Sequence, residues 1–431
     1  MHLSPRIPAL LLTALVVTAC APQTSSNSSS DKDEKTGTLR VWLFQEVGNE
    51  PKRKVVDSVV AAFEKAHGDT RVVVEYIPVE TRAQRVKAAF NDPSSAPDVM
   101  EYGNTDTAGY VKDGGLLDVG KEFTGWSEAK DTDATARTSV TVDGRIYGSP
   151  FYVGVRALYY RTDVFKELGL EVPRTMTELA VTARKIRAAK PELYGLVVGG
   201  AYTYGAMPFI WANGGELATG KDGSYASAIS GAAAQKGIKE YTSLFTDDNC
   251  PAAKCAGMGG NDTITAFAAG KAAMAIGGDF SHTAVEAGKV KGEYAVVPLP
   301  GVTAGTIAPA FAGGNNIGVL KSTSHRTLAV QLMEQLTSKK TQTAMFDAMG
   351  FLPTFADVRQ QVAAEQPYVK PFAQTLAAGT KFVPASPAWS QIDSSAVLPT
   401  MFQEVISGKK SVAAASEEAA TKMNDAFGSV G

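Results

Sequence analysis

The chain has 431 residues, of which 44% are hydrophobic and 20% charged, ordinary proportions for a folded globular protein. The formal net charge of −2 gives no electrostatic reason to expect nucleic acid or an anionic lipid surface as the partner, since either would favour a concentrated basic face. A chain this long exceeds what one hydrophobic core usually serves, so two domains are expected.

The first element is the apolar run Pro8 to Ala19, preceded by Arg6 and ended by Cys20. It is too short to cross a bilayer, which asks for about 20 apolar residues, but it suits the apolar region of an export signal. Val17, Thr18, Ala19 and Cys20 resemble the lipobox of bacterial lipoproteins, in which small residues admit the signal peptidase and the cysteine sulfur takes the lipid. The alternative is an ordinary secretory signal cleaved elsewhere. On the lipobox reading residues 1–19 are removed, and acyl chains on Cys20, contributing about 0.8 kcal/mol per buried methylene, hold the protein on the extracellular face of the membrane. The Ser-, Asp- and Lys-rich stretch that follows, through Gly37, reads as a linker between anchor and domain.

Order is expected from Leu39 to Phe44, a continuous apolar run of the kind buried on both faces of a parallel sheet. A helix follows with Val55, Val56, Val59, Val60 and Phe63 on one face and Gly68 as its stop. RVVVEYIP reads as a second strand, TRAQRVKAAFN as a second helix and APDVMEYGN as a third strand. Alternation at this spacing predicts right-handed crossovers and a parallel sheet covered on both faces. TVDGRIYGSPFYVGVRALYYRTDVF reads as a hairpin followed by a strand entering a second region. There Thr175 and Glu178 form a capping box ahead of a helix. Further strands are expected at YGLVVGG, AMAIGGD, EYAVVPLPG and GGNNIGVL, and the chain closes on helices. No segment of the mature chain is apolar enough to span a membrane.

Cys250 and Cys255 share one Pro-containing loop, and outside the cell a local disulfide is the expected state. A metal or redox site is the weaker alternative, because no His or further Cys lies at ligand spacing. G-x-S-x-G, H-E-x-x-H and G-x-x-x-x-G-K-[ST] do not occur. His67, His282 and His325 are scattered beside predicted helix ends, where a surface role is expected. A carboxylate pair for glycoside hydrolysis stays open, since Asp and Glu are plentiful.

Ligands of open parallel sheets bind beyond the carboxyl ends of the strands. Gln45 and Glu46 follow the first strand, and Asn104 and Asp106 follow the third. These side chains suit sugar hydroxyls, although Asn104 or Asp106 could equally cap the next helix. Tyr204, Phe280 and Trp389 lie in predicted loops and offer faces for stacking on sugar rings, whereas Phe209 and Trp211 fall in a helical pattern and read as core.

The order of these features, with the lipobox, VWLF, APDVMEYGNTDTAGYVKDGGLLDV, GRIYGSPFYVGVRALYYRTDVFKELGL, PFIWANGGEL, AAMAIGGDF and GGNNIGV, resembles the extracellular solute-binding proteins of ABC sugar importers, similar to maltose-binding protein. The resemblance implies a type II periplasmic-binding-protein fold of two α/β lobes, residues 38–152 plus 310–351 and 153–309 plus 352–431. The chain would cross between them near 150–154, 298–309 and 351–354. It places Gln45, Glu46, Asn104 and Asp106 on the cleft from one lobe and Tyr204 and Phe280 from the other. Asn315 and Asn316 follow a crossing, and Trp389 is a possible platform. Gly154 stands where maltose-binding protein carries an acidic sugar ligand, a departure that argues against maltodextrin. The implied function is capture of an oligosaccharide by a monomeric lipoprotein and its delivery to the transmembrane subunits of a permease, with no cofactor, metal or bond cleavage. GAMPFIWANGGELATG and FVPASPAWSQIDSS are most similar to actinobacterial proteins serving chitobiose or N-acetylglucosamine uptake, with cellobiose, xylobiose and maltose as rivals. A lipid-anchored glycoside hydrolase, or a surface sensor or adhesin on the same fold, are the competing functions.

Overall fold

The computed structural model describes residues 33–45, 49–78, 82–221 and 224–430. The signal segment, Cys20, most of the linker and Glu46 lie outside the described residues. No helix among the described residues is long and apolar enough to cross a membrane.

The amino-terminal half of the first sheet follows the predicted alternation: β1 (Gly37–Gln45), α1 (Glu50–Ala66), β2 (Thr70–Pro78), α2 (Arg82–Asn91), β3 (Val99–Gly103) and α3 (Thr107–Lys112). β1 pairs in parallel with both β2 and β3. Its apolar run is divided by the two-residue period of a strand. Leu39, Val41 and Leu43 enter one hydrophobic cluster with Val56 and Phe63 of α1, whereas Trp42 and Phe44 enter another with Val86 and Met100. Both faces of the strand are therefore covered, which is why the sequence shows no polar alternation. Within α1, Val56 and Phe63 are fully buried, with Val55, Val59 and Val60 packed at the margin.

After a short hairpin, β4 (Ser149–Gly154) belongs to the first sheet and β5 (Arg156–Arg161) to the second, so the chain passes between sheets at Val155. The second sheet is built from β5, then β6 (Tyr194–Val197) after α4 (Met176–Ala189), then β7 (Ala272–Gly278) and β8 (Tyr294–Val297), with α5 (Thr203–Ala212) leaving the β6 edge. Its spatial order is β8-β5-β7-β6. The chain then returns to the first sheet as β9 (Gly313–Val319), which lies between β3 and β4 and completes the order β2-β1-β3-β9-β4.

The parallel pairing expected of the first three strands is present, and strands from further along the chain make both sheets mixed. β9 runs antiparallel to both β3 and β4, and β5 runs antiparallel to β7 and β8. Chains that cross between sheets re-enter in the opposite sense, and crossover rules for consecutive βαβ units do not cover that return. Helices α6 (Arg326–Leu336) and α7 (Lys339–Met349) pack back on the first sheet, and α8 (Trp389–Ser394), α9 (Val397–Ile406) and α10 (Val412–Gly428) close the second region.

Local signals hold well. The Thr175 hydroxyl accepts from the Glu178 amide at 3.0 Å, while the Glu178 carboxylate reaches one residue further back, to the Arg174 amide at 2.7 Å. Phe209 and Trp211 are 1% and 3% exposed, in the core as their helical spacing suggests. The sulfurs of Cys250 and Cys255 are bonded, with Cα atoms 6.0 Å apart. His325 departs from its surface reading: it is buried at the start of α6, between Glu34 and Asp98.

Candidate functional site

The carboxyl edges of the two sheets face one another. From the first sheet come Gln45 at the end of β1 and the turn Gly103 to Asp106 at the end of β3. From the second come Arg156, which registers opposite Gly278 on β7, then Asp279 and Phe280 just beyond that strand, and Tyr204 at the start of α5.

Beneath the first edge lies a fully enclosed charge network. The Lys52 ammonium, on α1, sits 2.8 Å from the Glu101 carboxylate on β3, and both side chains are inaccessible to solvent. Lys52 also donates to the Phe44 carbonyl at 2.9 Å, and Glu101 accepts from the Phe44 amide at 2.8 Å. The second Glu101 oxygen accepts from the Asn315 amide at 2.7 Å, and the same nitrogen meets the Tyr152 hydroxyl at 2.7 Å. Tyr152 stacks on Phe351 at 4.2 Å, so β1, β3, β9, β4 and the chain passage at Phe351 are tied together. A buried charge with this many partners is rigid, because each lost contact leaves an unsatisfied group.

That network gives the polar residues of β9 partners within the first sheet. The Asn315 amide nitrogen is engaged by Glu101 and Tyr152. Asn316 is 1% exposed, with its amide donating to the Ser139 carbonyl and accepting from the Ser139 hydroxyl. Both are engaged inside the first sheet. Asn104 likewise donates to the Ala312 carbonyl at 2.8 Å. Gln45 is exposed, and its side chain accepts from Arg53 at 3.2 Å.

Asp106 behaves differently. It stands at the amino end of α3, yet its carboxylate makes no capping hydrogen bond, contrary to the capping alternative. Its Oδ1 accepts from the Ser390 hydroxyl of α8 at 3.4 Å, a contact across the cleft, and its Oδ2 has no partner among the described residues. Burial pushes the Asp106 carboxyl up to about 6, with the Arg82 guanidinium opposing that shift and the Asp393 carboxylate adding to it. The Asp393 carboxyl is itself raised, first by loss of water and against the pull of Arg82.

On the second edge, the Arg156 guanidinium lies 5.1–5.9 Å from the ring centroids of Tyr202, Tyr204, Phe280 and Phe311. Tyr204 and Phe311 stack on each other at 4.6 Å. Phe280 is an exposed aromatic ring, 38% accessible. Gly278 makes room for it, since a Cβ there would fall 2.2 Å from the ring. Asp279 is buried, with Oδ1 accepting from the Val155 amide at 2.8 Å and Oδ2 without a partner among the described residues; burial pushes its carboxyl up to about 7.

Trp389 departs from the loop reading. It is the first residue of α8 and 1% exposed, so its ring belongs to the core beneath the cleft. Tyr204, also expected in a loop, begins a helix but keeps a half-buried position on the edge. The residues sequence reasoning passed over are Lys52, Glu101, Arg156 and Asp279. Glu101 and Arg156 had a visible signal: each is a charge inside a strand-like apolar run, VMEY and VGVRALYY. No group of residues suited to holding a metal ion occurs among the described residues.

Comparison with known proteins assigns this architecture. The sequence profile of bacterial extracellular solute-binding proteins matches residues 48–343. The diacetylchitobiose binding protein DasA of Streptomyces coelicolor is 26% identical over 409 residues, covering 90% of this chain and 91% of the relative. An ABC transporter solute-binding protein from Thermotoga lettingae, solved with α-D-tagatose, superposes with a TM-score of 0.79 at 26% identity, over 91% of this chain and all of the other. Maltose-bound MalE3 of T. maritima superposes at 0.77 with 20% identity, over 90% and 99% of the two chains, a likeness of fold. The fold is the type II periplasmic-binding-protein fold, and these relatives are binding proteins, which sets aside the hydrolase reading. A matched profile over most of the chain, on two α/β sheets whose carboxyl edges meet across a cleft, makes this chain a member of the bacterial extracellular solute-binding protein family.

Proposed function

We propose that the protein captures an oligosaccharide between the two sheet edges and delivers it to the transmembrane subunits of an ABC importer. The observation that carries this reading is the facing pair of edges, one lined by Asp106, the other by exposed and half-buried aromatic rings around Arg156. Carboxylates and amides hydrogen-bond sugar hydroxyls, and aromatic faces cover the apolar faces of the ring. The contact set is Gln45, Asp106, Tyr204 and Phe280, with Asn104 beside them, while Asn315, Asn316 and Trp389 support it from within. The two lobes comprise residues 38–152 plus 310–351 and 153–309 plus 352–431, and the ligand drives their closure by binding the closed form better than the open one.

N,N'-diacetylchitobiose or N-acetylglucosamine is the leading ligand, a choice supported by the binding activity in the name of the Streptomyces relative. Cys20 is the site of lipid attachment on the outer face of the membrane. A thermal-shift screen against mono- and disaccharides tests the function, since a ligand at 100 times its dissociation constant adds about 2.7 kcal/mol of stability. Failure of every saccharide to raise the melting temperature overturns the reading.

A further inference from the structure

Charges in this cleft are treated in two ways. Lys52 is hydrogen-bonded to Glu101, and Arg82 acts on both Asp106 and Asp393. Arg156 is felt by the Asp279 carboxyl, but among the described residues no carboxylate is hydrogen-bonded to it. Its Nε donates to the Tyr202 hydroxyl at 2.9 Å, and among the described residues no acceptor is hydrogen-bonded to its two terminal nitrogens. Asp279, the acid that feels Arg156, turns Oδ1 to the Val155 amide, and burial favours its neutral form.

The surroundings decide what those nitrogens can meet. Four aromatic rings within 6 Å stabilise the cation and take up the space around it, so that a partner must approach the edge of the guanidinium from the cleft. Arginine presents its donors as a rigid planar fork, matched to planar groups with strong acceptor oxygens and poorly matched to a single tetrahedral hydroxyl. A cation held half-buried among rings also gains most from an acceptor carrying charge or a large dipole, because the local dielectric is low.

We propose that Arg156 is a specificity-determining residue that reads a planar acceptor substituent on the bound sugar, an acetamido carbonyl or a carboxylate, and disfavours the same sugar bearing only a hydroxyl there. The inference rests on the proposed capture of a saccharide in this cleft. It predicts that the second sheet edge sets the substituent preference, with the rings supplying stacking that is common to many sugars.

Isothermal titration of the full chain with diacetylchitobiose, cellobiose and cellobiouronic acid tests this, since the three share a β-1,4-linked glucose frame and differ in the substituent. Cellobiose is expected to bind roughly tenfold or more weakly than whichever of the other two fits. The acetamido and carboxylate arms identify the source of the acceptor. In Arg156→Met, which keeps the aliphatic stem among the rings, that ratio is expected to fall to about threefold or less. Arg156→Lys should retain a carboxylate preference and lose an acetamido one, because the charge stays while the fork is lost. Arg156→Gln serves for the same ratio if the methionine variant does not fold, as judged by the unliganded melting curve. Equal binding of all three sugars by the unmodified protein, or a uniform loss for all three in the variants, overturns the assignment of Arg156 alone. Binding of none of the three also overturns the assignment of Arg156, while the saccharide reading on which it stands falls only if no mono- or disaccharide of the thermal-shift screen binds.

Discussion

The two sheet edges occupy equivalent places in their sheets and solve opposite problems. Under the first, Lys52, Glu101, Asn315 and Tyr152 pair every charge and amide donor with a neighbour, and the Lys52 and Glu101 side chains are closed to water. At the second, Arg156 and Asp279 sit close together without hydrogen-bonding each other, and an exposed Phe280 stands beside them. A satisfied network fixes geometry and recognises nothing new. An edge with unspent donors and open rings is suited to recognition, and its cost is borne by the stability of the fold.

The sharpest way to break this comparison is to unpair the first edge. Lys52→Met leaves Glu101 buried without its cation and is expected to cost about 3–5 kcal/mol in urea unfolding. Lys52→Met combined with Glu101→Gln should recover most of that, since the amide still accepts from the Phe44 amide and no lone charge remains. A single-variant loss under about 1 kcal/mol would show that the network is not rigid.

The second edge should respond to pH. The folded-state value for Asp279 lies near 7, above the ordinary 3.8, so the folded protein holds a proton that the unfolded chain releases between those values. Stability from this group is full below about 3.8 and is lost as pH rises through about 7. Asp279→Asn removes that loss and keeps the acceptor for Val155. At pH 8 the variant is expected to be more stable than the unmodified protein by a few kcal/mol at most, at about 1.36 kcal/mol per unit, with the advantage vanishing by pH 4. Melting curves across that range check the sign. A variant less stable at pH 8 than at pH 4, relative to the unmodified protein, contradicts it.

Smaller effects sharpen the contrast. Asn315→Ala deprives a buried Glu101 oxygen and Tyr152 of their shared donor and is expected to cost about 1–3 kcal/mol. Phe280→Ala, on an exposed ring, should change unliganded stability by less than about 0.5 kcal/mol. Its expected mark is on sugar affinity, with about 0.5–1.5 kcal/mol of stacking lost, read by titration. Equal losses of unliganded stability in these two variants would erase the distinction between the edges.

Much of the architecture was legible from the sequence, because the β1 to β3 alternation, the Thr175 cap and the buried helix around Phe209 depend on local periodicity and capping chemistry. The antiparallel insertion of β9 was not, since its sense is set by a return from the other sheet about 160 residues after β4. The site divides the same way. The strand-end rule pointed to Asp106 and the Gly-flanked loop to Phe280, and both stand just beyond strand ends. The structural partners of Asn315 and Asn316 were not legible, because Glu101 and Ser139 lie more than 170 residues away in sequence. Trp389 was misread because the Pro-flanked segment before it ends in a helix start that buries the ring. Arg156 shows the useful converse: a charge interrupting an apolar strand is a position to examine first.

The late arrival of β9 has a consequence for the birth of the molecule. The strand that joins β3 to β4 in the first sheet is supplied after the whole of the second sheet has been made, so β3 and β4 keep unpaired edges until residues 313–319 emerge. Such sequence-distant pairing slows folding and leaves the nascent chain incomplete for longer.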